Sequence, residues 1–233
     1  MSGSLDEIRD ALHAWRWREL PPAPGRTNHL RAGVAVPVQL LDGRPQVVLT
    51  LRPPAIPRHA DEICFPGGRP DPSDADLHAT ALRECEEELG VTPSTTLGRL
   101  SSTPIYTSEW RLDPWVVGLD QAPLHPDARE VAKVLRWDLD EVVGGKPIEG
   151  LVVDRDGQTK VFPIMRMEGL ICYGATAFVL YELAEALAAW RGVTLPPMDV
   201  GTLDWRRLMI HHAWADDPSR RPHDAEAQRD RYV

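Results

Sequence analysis

Between Asp76 and Glu88 the chain carries five carboxylates, and four of them, Glu84, Glu86, Glu87 and Glu88, fall within five positions. On a helical wheel of ~100° per residue, with Glu84 at zero, Glu87 lies near ~300° and Glu88 near ~40°. These three share one face, Glu86 points elsewhere, and Leu82, Cys85 and Leu89 form an apolar stripe beside them. Like charges one helical turn apart repel by roughly 0.2–0.5 kcal/mol per pair when solvated. Such a face is either an idle solvated surface or a cation site. A hard divalent ion such as Mg²⁺ or Mn²⁺ takes oxygen ligands, keeps several waters and bridges to phosphate oxygens. The ligands expected for it are Glu84, Glu87 and Glu88. Arg83 adjoins the cluster and can brace one glutamate in a bidentate pair.

Upstream, Phe65-Pro66-Gly67-Gly68 ends in a glycine pair that lets backbone approach a ligand closely, and an Asp-rich loop follows it. Glu87, and Glu130 in "HPDAREV", are further carboxylates that can accept a proton. Arg52 and Arg58 are candidates to pair with substrate phosphates, and Phe65 to pack against the organic half of a substrate. His59 and His125 read as structural or solvated, Trp110 and Trp115 as packing, and Cys64 and Cys85 as small buried apolar residues. The adjacent His211 and His212 do not share a helical face and make no metal site by themselves.

The elements that must position these residues follow from periodicity. Residues 77–89 read as a helix, with Gly90 where a C-terminal glycine belongs. "GVAVPVQLL" and "QVVLTL" are β-rich runs joined by a turn at Asp42-Gly43. "LGRLSSTPIY", "LDPWVVGL", "KVLRWDL" and "KVFPIMRM" are further strand-like runs, and residues 174–192 form an apolar helix. Residues 4–20 are expected to form an amphipathic helix with capping-box spacing at Ser4 and Glu7, docked on the domain or on a second subunit of a homodimer. The domain plan is a helix and Pro-rich linker over 1–28, a catalytic domain over 29–212, and a polar, disordered tail over 213–233. The fold class is α/β: a mixed central β-sheet between helices.

Composition narrows the function. A chain of 233 residues with 42% apolar content can build one generous domain. A formal charge of −9 disfavours nucleic acid and anionic membranes as partners, while metal ions still permit a small anionic substrate. Three cysteines without a CxxC pair, no leader and no spanning apolar run point to a cytoplasmic protein.

Gly68 to Val91 resembles the Nudix box, G-x5-E-x7-R-E-U-x-E-E-x-G-U with U a bulky apolar residue. Arg83, Glu84, Glu87, Glu88, Gly90 and Val91 match in register, and Cys85 fills an apolar slot. Asp74 stands for the early glutamate, with one extra residue before Arg83. That form, "FPGG" with Asp71, Asp74 and "TALRE", resembles the coenzyme A diphosphatase branch. The branch's upstream motif is echoed in "LTLRPPAIPRHADEICFPGG", which keeps Leu49, Thr50 and Arg52 but has Pro53, Pro57 and Asp61 at three motif positions. "DPWVVGL" and "ICYGATAFVL" extend the likeness over roughly residues 32–190.

The resemblance implies an α/β/α sandwich and a Mg²⁺- or Mn²⁺-dependent hydrolase. Its metal ligands would be Glu84, Glu87, Glu88 and the Gly68 carbonyl, with Arg83 orienting glutamates, a base from Glu87 or Glu130, and Gly67 and Gly68 against the substrate. The implied substrate is a nucleotide diphosphate, coenzyme A or acyl-CoA, cut to 3′,5′-ADP and (acyl)phosphopantetheine. The alternatives are ADP-ribose, a dinucleotide or another nucleotide conjugate, and a binding module of the same fold without catalysis.

Overall fold

The computed structural model describes residues 4–55, 60–121, 123–155 and 158–201. Arg58, His59, the His211-His212 pair and the tail expected from residue 213 lie outside the described residues. The chain runs through α1 (Leu5–Ala14), β1 (Leu30–Leu41), β2 (Arg44–Leu51), the short β3 (Ile63–Cys64) and β4 (Gly67–Gly68), and α2 (Leu77–Leu89). β5 (Thr95–Arg99), β6 (Thr103–Pro104), β7 (Trp110–Leu119), β8 (Lys133–Asp138) and α3 (Leu139–Val143) follow. β9 (Glu149–Arg155), β10 (Gln158–Met167), β11 (Leu170–Cys172), α4 (Gly174–Trp190) and β12 (Asp199–Val200) complete it.

The main sheet has the order β3-β2-β1-β7-β5, with β4 paired to β1, β6 to β7 and β8 to β2. It is mixed because β1 and β7 run parallel from Leu30↔Trp110 to Gln39↔Leu119, while its other pairs are antiparallel. Asp42 and Gly43 both take positive φ (50° and 74°), as a tight hairpin turn between β1 and β2 requires. Side chains alternate across the sheet. Val34, Val36 and Val38 of β1 face a large core with α1 and α4, whereas Ala35 faces a smaller one with α2. The result is the α/β/α sandwich expected from the sequence.

Besides the expected mixed central sheet, β9 to β12 form a separate four-stranded sheet in the order β11-β10-β9-β12. Its own small core holds Leu151 and Ile164. The N-terminal helix, expected over 4–20, ends at Ala14, because the backbone turns extended at Trp15. Its polar groups then find other partners. Ser102 N–H donates to Arg18 O (2.9 Å), Leu20 N–H donates to Ser102 O (3.0 Å), and Trp15 Nε1 donates to Glu182 (2.9 Å). The helix docks on its own chain, burying Ile8, Ala11 and Leu12 in the core shared with α4. Ser4 caps it by accepting from Glu7 N–H, and Arg191 pairs with Glu7 in a fork of two 2.9 Å bonds while also reaching Asp140.

Candidate active site

Helix α2 is set by its ends and its stripe. Asp76 accepts from Ala79 N–H at 2.8 Å, and Gly90 closes the other end at φ 64°. Ala81, Cys85 and Leu89 are fully buried against Ala35, Val48, Val117 and Leu119. That contact fixes the rotation of the helix and turns Glu84 and Glu88 toward β4.

Glu88 is 2% exposed. Gly67 N–H donates to its Oε1 at 3.0 Å, and Thr50 Oγ1 lies 3.4 Å from its Oε2. Burial drives the Glu88 carboxyl up to about 7. The Gly67 hydrogen bond and the Arg52 charge oppose that rise, and the charges of Glu84 and Glu130 add to it. Burial likewise raises Glu84, against the pull of Arg83. A Cβ on Gly68 would lie 2.2 Å from Glu84 Oε1, so any larger residue there would push the Glu84 carboxylate out of its place beside Arg83.

Arg83 organises the exposed side of the cluster. Its Nη1 donates to Glu84 (3.0 Å) and to Glu87 (2.8 Å). The bidentate partner is not a glutamate, as expected, but Asp74, which takes Nε and Nη2 at 3.1 Å each. The fork geometry suits Asp74 because its loop lies beside the guanidinium plane, whereas Glu84 and Glu87 each meet a single amino group. That pairing holds the Asp74 carboxyl down to about 2. Arg83 Nη2 also donates to the carbonyl of Arg69 at 3.1 Å.

Glu130 is exposed in a loop fastened to the end of α2. His125 N–H donates to Leu89 O (2.8 Å), and Asp127 N–H donates to Glu88 O (3.0 Å). Its charge is felt by both Glu84 and Glu88, which places it on their side of the helix. Arg52 also reaches Glu88 electrostatically, and its Nε is buried with no hydrogen-bond partner among the described residues. Phe65 is 4% exposed in the main core, so its ring packs inside rather than in an open cleft. Cys64, Cys85 and Cys172 are free thiols. Burial pushes Cys64 to about 11 and Cys85 to about 12, so neither offers a thiolate nucleophile.

Thr50 was quoted in the sequence only as part of a motif, yet it touches Glu88 and Cys64 and is fully buried. The signal was there: Thr50 is the polar residue two positions from Val48, on the same inward face of β2.

Among the described residues, no three carboxylate, imidazole or thiol groups converge as a ready metal cage. Arg83 holds Glu84 and Glu87, while Gly67 holds Glu88. By chemistry the donors nonetheless fit a hard divalent cation. All are oxygens, and the buried Glu88 carries an ionisation penalty that a cation would offset.

A NUDIX domain model matches residues 29–154. A Photorhabdus laumondii protein named "Uncharacterized Nudix hydrolase NudL" is 35% identical over 174 residues, covering 72% of this chain and 91% of its own. A Yersinia pestis protein of the same name is 32% identical over 163 residues, covering 68% and 80%. Among solved structures, a MutT/nudix family protein from Enterococcus faecalis aligns at 14% identity and TM-score 0.44 over 78% of this chain and 68% of that one. A C. elegans Ap4A hydrolase complex aligns at 20% identity and TM-score 0.39 over 49% and 84%.

Proposed function

This chain belongs to the NUDIX-domain family of hydrolases, and on that premise we propose that it cleaves the diphosphate linkage of coenzyme A or an acyl-CoA, giving 3′,5′-ADP and (acyl)phosphopantetheine. The carrying observation is the meeting of two sequence segments at one carboxylate. Thr50, from the upstream motif, touches Glu88 of α2, and the charge of Arg52, from the same motif, reaches it. The upstream turn also supports this reading. Asp61 stands where the motif has glycine, and it adopts φ 57°, a left-handed conformation that Asp tolerates better than most residues. Asp61 N–H and Arg52 O pair at 3.3 Å across that turn.

Glu84, Glu87 and Glu88, with the Gly68 carbonyl, are the residues to hold Mg²⁺ or Mn²⁺. Such a cation, when bound, neutralises phosphate oxygens and acidifies water. The chain's own groups do the rest. Arg83 fixes the orientation of Glu84 and Glu87. Arg52, whose charge reaches Glu88, supplies the positive charge beside a phosphate oxygen there. Glu130, exposed on the loop fastened to the end of α2, takes the proton of the attacking water. The net charge of −9 suits a small anionic substrate that is held through metal ions, and among the described residues no helix is long and apolar enough to cross a membrane.

A second substrate class has one observation in its favour. Pro57 occupies the place of the motif's second arginine, so a substrate other than coenzyme A, such as ADP-ribose or a dinucleotide, could be preferred. The test is incubation with coenzyme A, ADP-ribose and a dinucleotide in Mg²⁺ or Mn²⁺, with products identified by mass. Release of 3′,5′-ADP at the highest kcat/KM supports the coenzyme A reading. Faster cleavage of another conjugate transfers it to that class, and no cleavage of any leaves a binding module.

A further inference from the structure

Arg69 follows Gly68 directly, and the site described above uses only its carbonyl, which accepts from Arg83 Nη2. Its side chain is exposed, and the guanidinium carbon sits 4.8 Å from the centre of the Trp110 ring. Asp74, Glu84, Glu87 and Glu88 all belong to the neighbouring cluster, yet among the described residues Arg69 forms no ion pair. Arg83 has taken Asp74, Glu84 and Glu87, and Gly67 has taken Glu88.

Strand geometry accounts for the separation. The Cβ direction at Gly68 points at Glu84, on the α2 face of the sheet, so the next side chain leaves on the opposite face. Trp110 shares that face with Leu112, two residues on in β7, which packs on the core of α1 and α4. Arg69 therefore passes over the start of β1 to reach Trp110. Stacking engages the flat face of a guanidinium and leaves its in-plane N–H donors unspent. An exposed guanidinium lying over an indole ring, in no ion pair among the described residues and anchored through its own backbone to the carboxylate clamp, is prepared for an oxyanion supplied from outside the chain.

We propose that Arg69, held on the Trp110 ring, is a phosphate-binding residue of the substrate site, acting on the opposite face of β4 from Glu84. Trp110 is its positioning residue. This rests on the diphosphatase reading above, and it assigns the chemistry at that end of the substrate: a phosphate group, not an uncharged one.

The experiment compares Arg69→Ala, Arg69→Lys and Trp110→Leu with the wild-type full chain. One readout is turnover of coenzyme A in Mg²⁺. The other is calorimetric binding of ADP in EDTA, which needs no metal. Arg69→Ala is expected to raise KM and the ADP Kd by roughly tenfold or more, with KM rising more than kcat falls, as loss of a charge-assisted phosphate contact predicts. Arg69→Lys should recover part of the loss because it keeps the charge. Trp110→Leu should give a smaller loss because it removes only the platform. Arg69 is exposed, so the thermal midpoint of Arg69→Ala should match wild type. If KM and the ADP Kd of Arg69→Ala both stay within about twofold of wild type, the proposal is overturned. If wild type cuts no diphosphate but binds ADP in an Arg69-dependent way, the phosphate site stands and the hydrolase reading fails.

Discussion

Glu88 shows how far one carboxylate can be held from its ordinary behaviour. Its usual value of 4.5 is raised to about 7, chiefly by burial. A carboxyl raised in this way contributes stability that is fully present below about 4.5 and is lost as pH climbs through about 7. At pH 8 the ionised group then costs the metal-free protein about 3 kcal/mol. Glu88→Gln keeps an oxygen for Gly67 N–H and removes the charge. In EDTA the variant is expected to be more stable than wild type at pH 8, with the gap closing toward pH 5. Chemical denaturation across that range measures it. Saturating Mn²⁺ should reverse the order, and hydrolysis by the variant should be abolished. Equal stability of the two proteins in EDTA at every pH would mean Glu88 is not a penalised buried anion. Arg83→Lys tests the clamp. A lysine cannot fork to Asp74 and still reach Glu84 and Glu87, so Mn²⁺ affinity by calorimetry should fall by roughly tenfold. The shared face of Glu84, Glu87 and Glu88 was legible in their spacing alone. The burial of Glu88 was not, because Gly67 and Thr50 come from segments 21 and 38 residues away.

At the scale of the element, α2 was the most readable part of the chain. Its observed limits, Leu77–Leu89, coincide with those expected, because Asp76 and Gly90 mark both ends by chemistry. The two-residue strands β3 and β4 were invisible, since alternation needs more positions than they have. α1 came out shorter than its amphipathic pattern because Arg18 and Leu20 bond to Ser102 instead. Gly90 has two constraints: φ is 64°, and a methyl group there would lie 2.4 Å from the carbonyl oxygen of His125. Gly90→Ala is therefore expected to destabilise by about 1–2 kcal/mol from backbone strain, plus the cost of displacing the 125–131 loop. Thermal unfolding gives the first effect. If the loop positions Glu130, kcat should fall as well while KM changes little. An unchanged kcat in a folded variant would remove Glu130 from the reaction.

At the scale of the whole molecule, the family match begins at residue 29, but the core begins earlier. Ile8, Ala11 and Leu12 complete the layer with α4, Glu7 ties it to Arg191, and Glu19 pairs with Arg111, a cation only 3% exposed. Removing residues 1–20 is expected to uncover Leu97, Leu100 and the facing side of α4, and to strand Arg111. The truncated chain should bind a hydrophobic dye and unfold at a clearly lower temperature. Full thermal stability after truncation would show that the helix is an accessory. The α/β class was legible from the order of strand-like and helix-like runs. The split into two sheets and the parallel pairing of β1 with β7 were not, because partners some 80 residues apart leave no local trace.

The two backbone bonds from His125 and Asp127 to the last turn of α2 have an evolutionary consequence. The stretch between Gly90 and His125 can lengthen or shorten around β5 to β7, but residues 88–90 and 125–130 are tied as one heritable unit. Insertions among relatives should cluster between those two segments, and a substitution in one should be accompanied by a compensating change in the other.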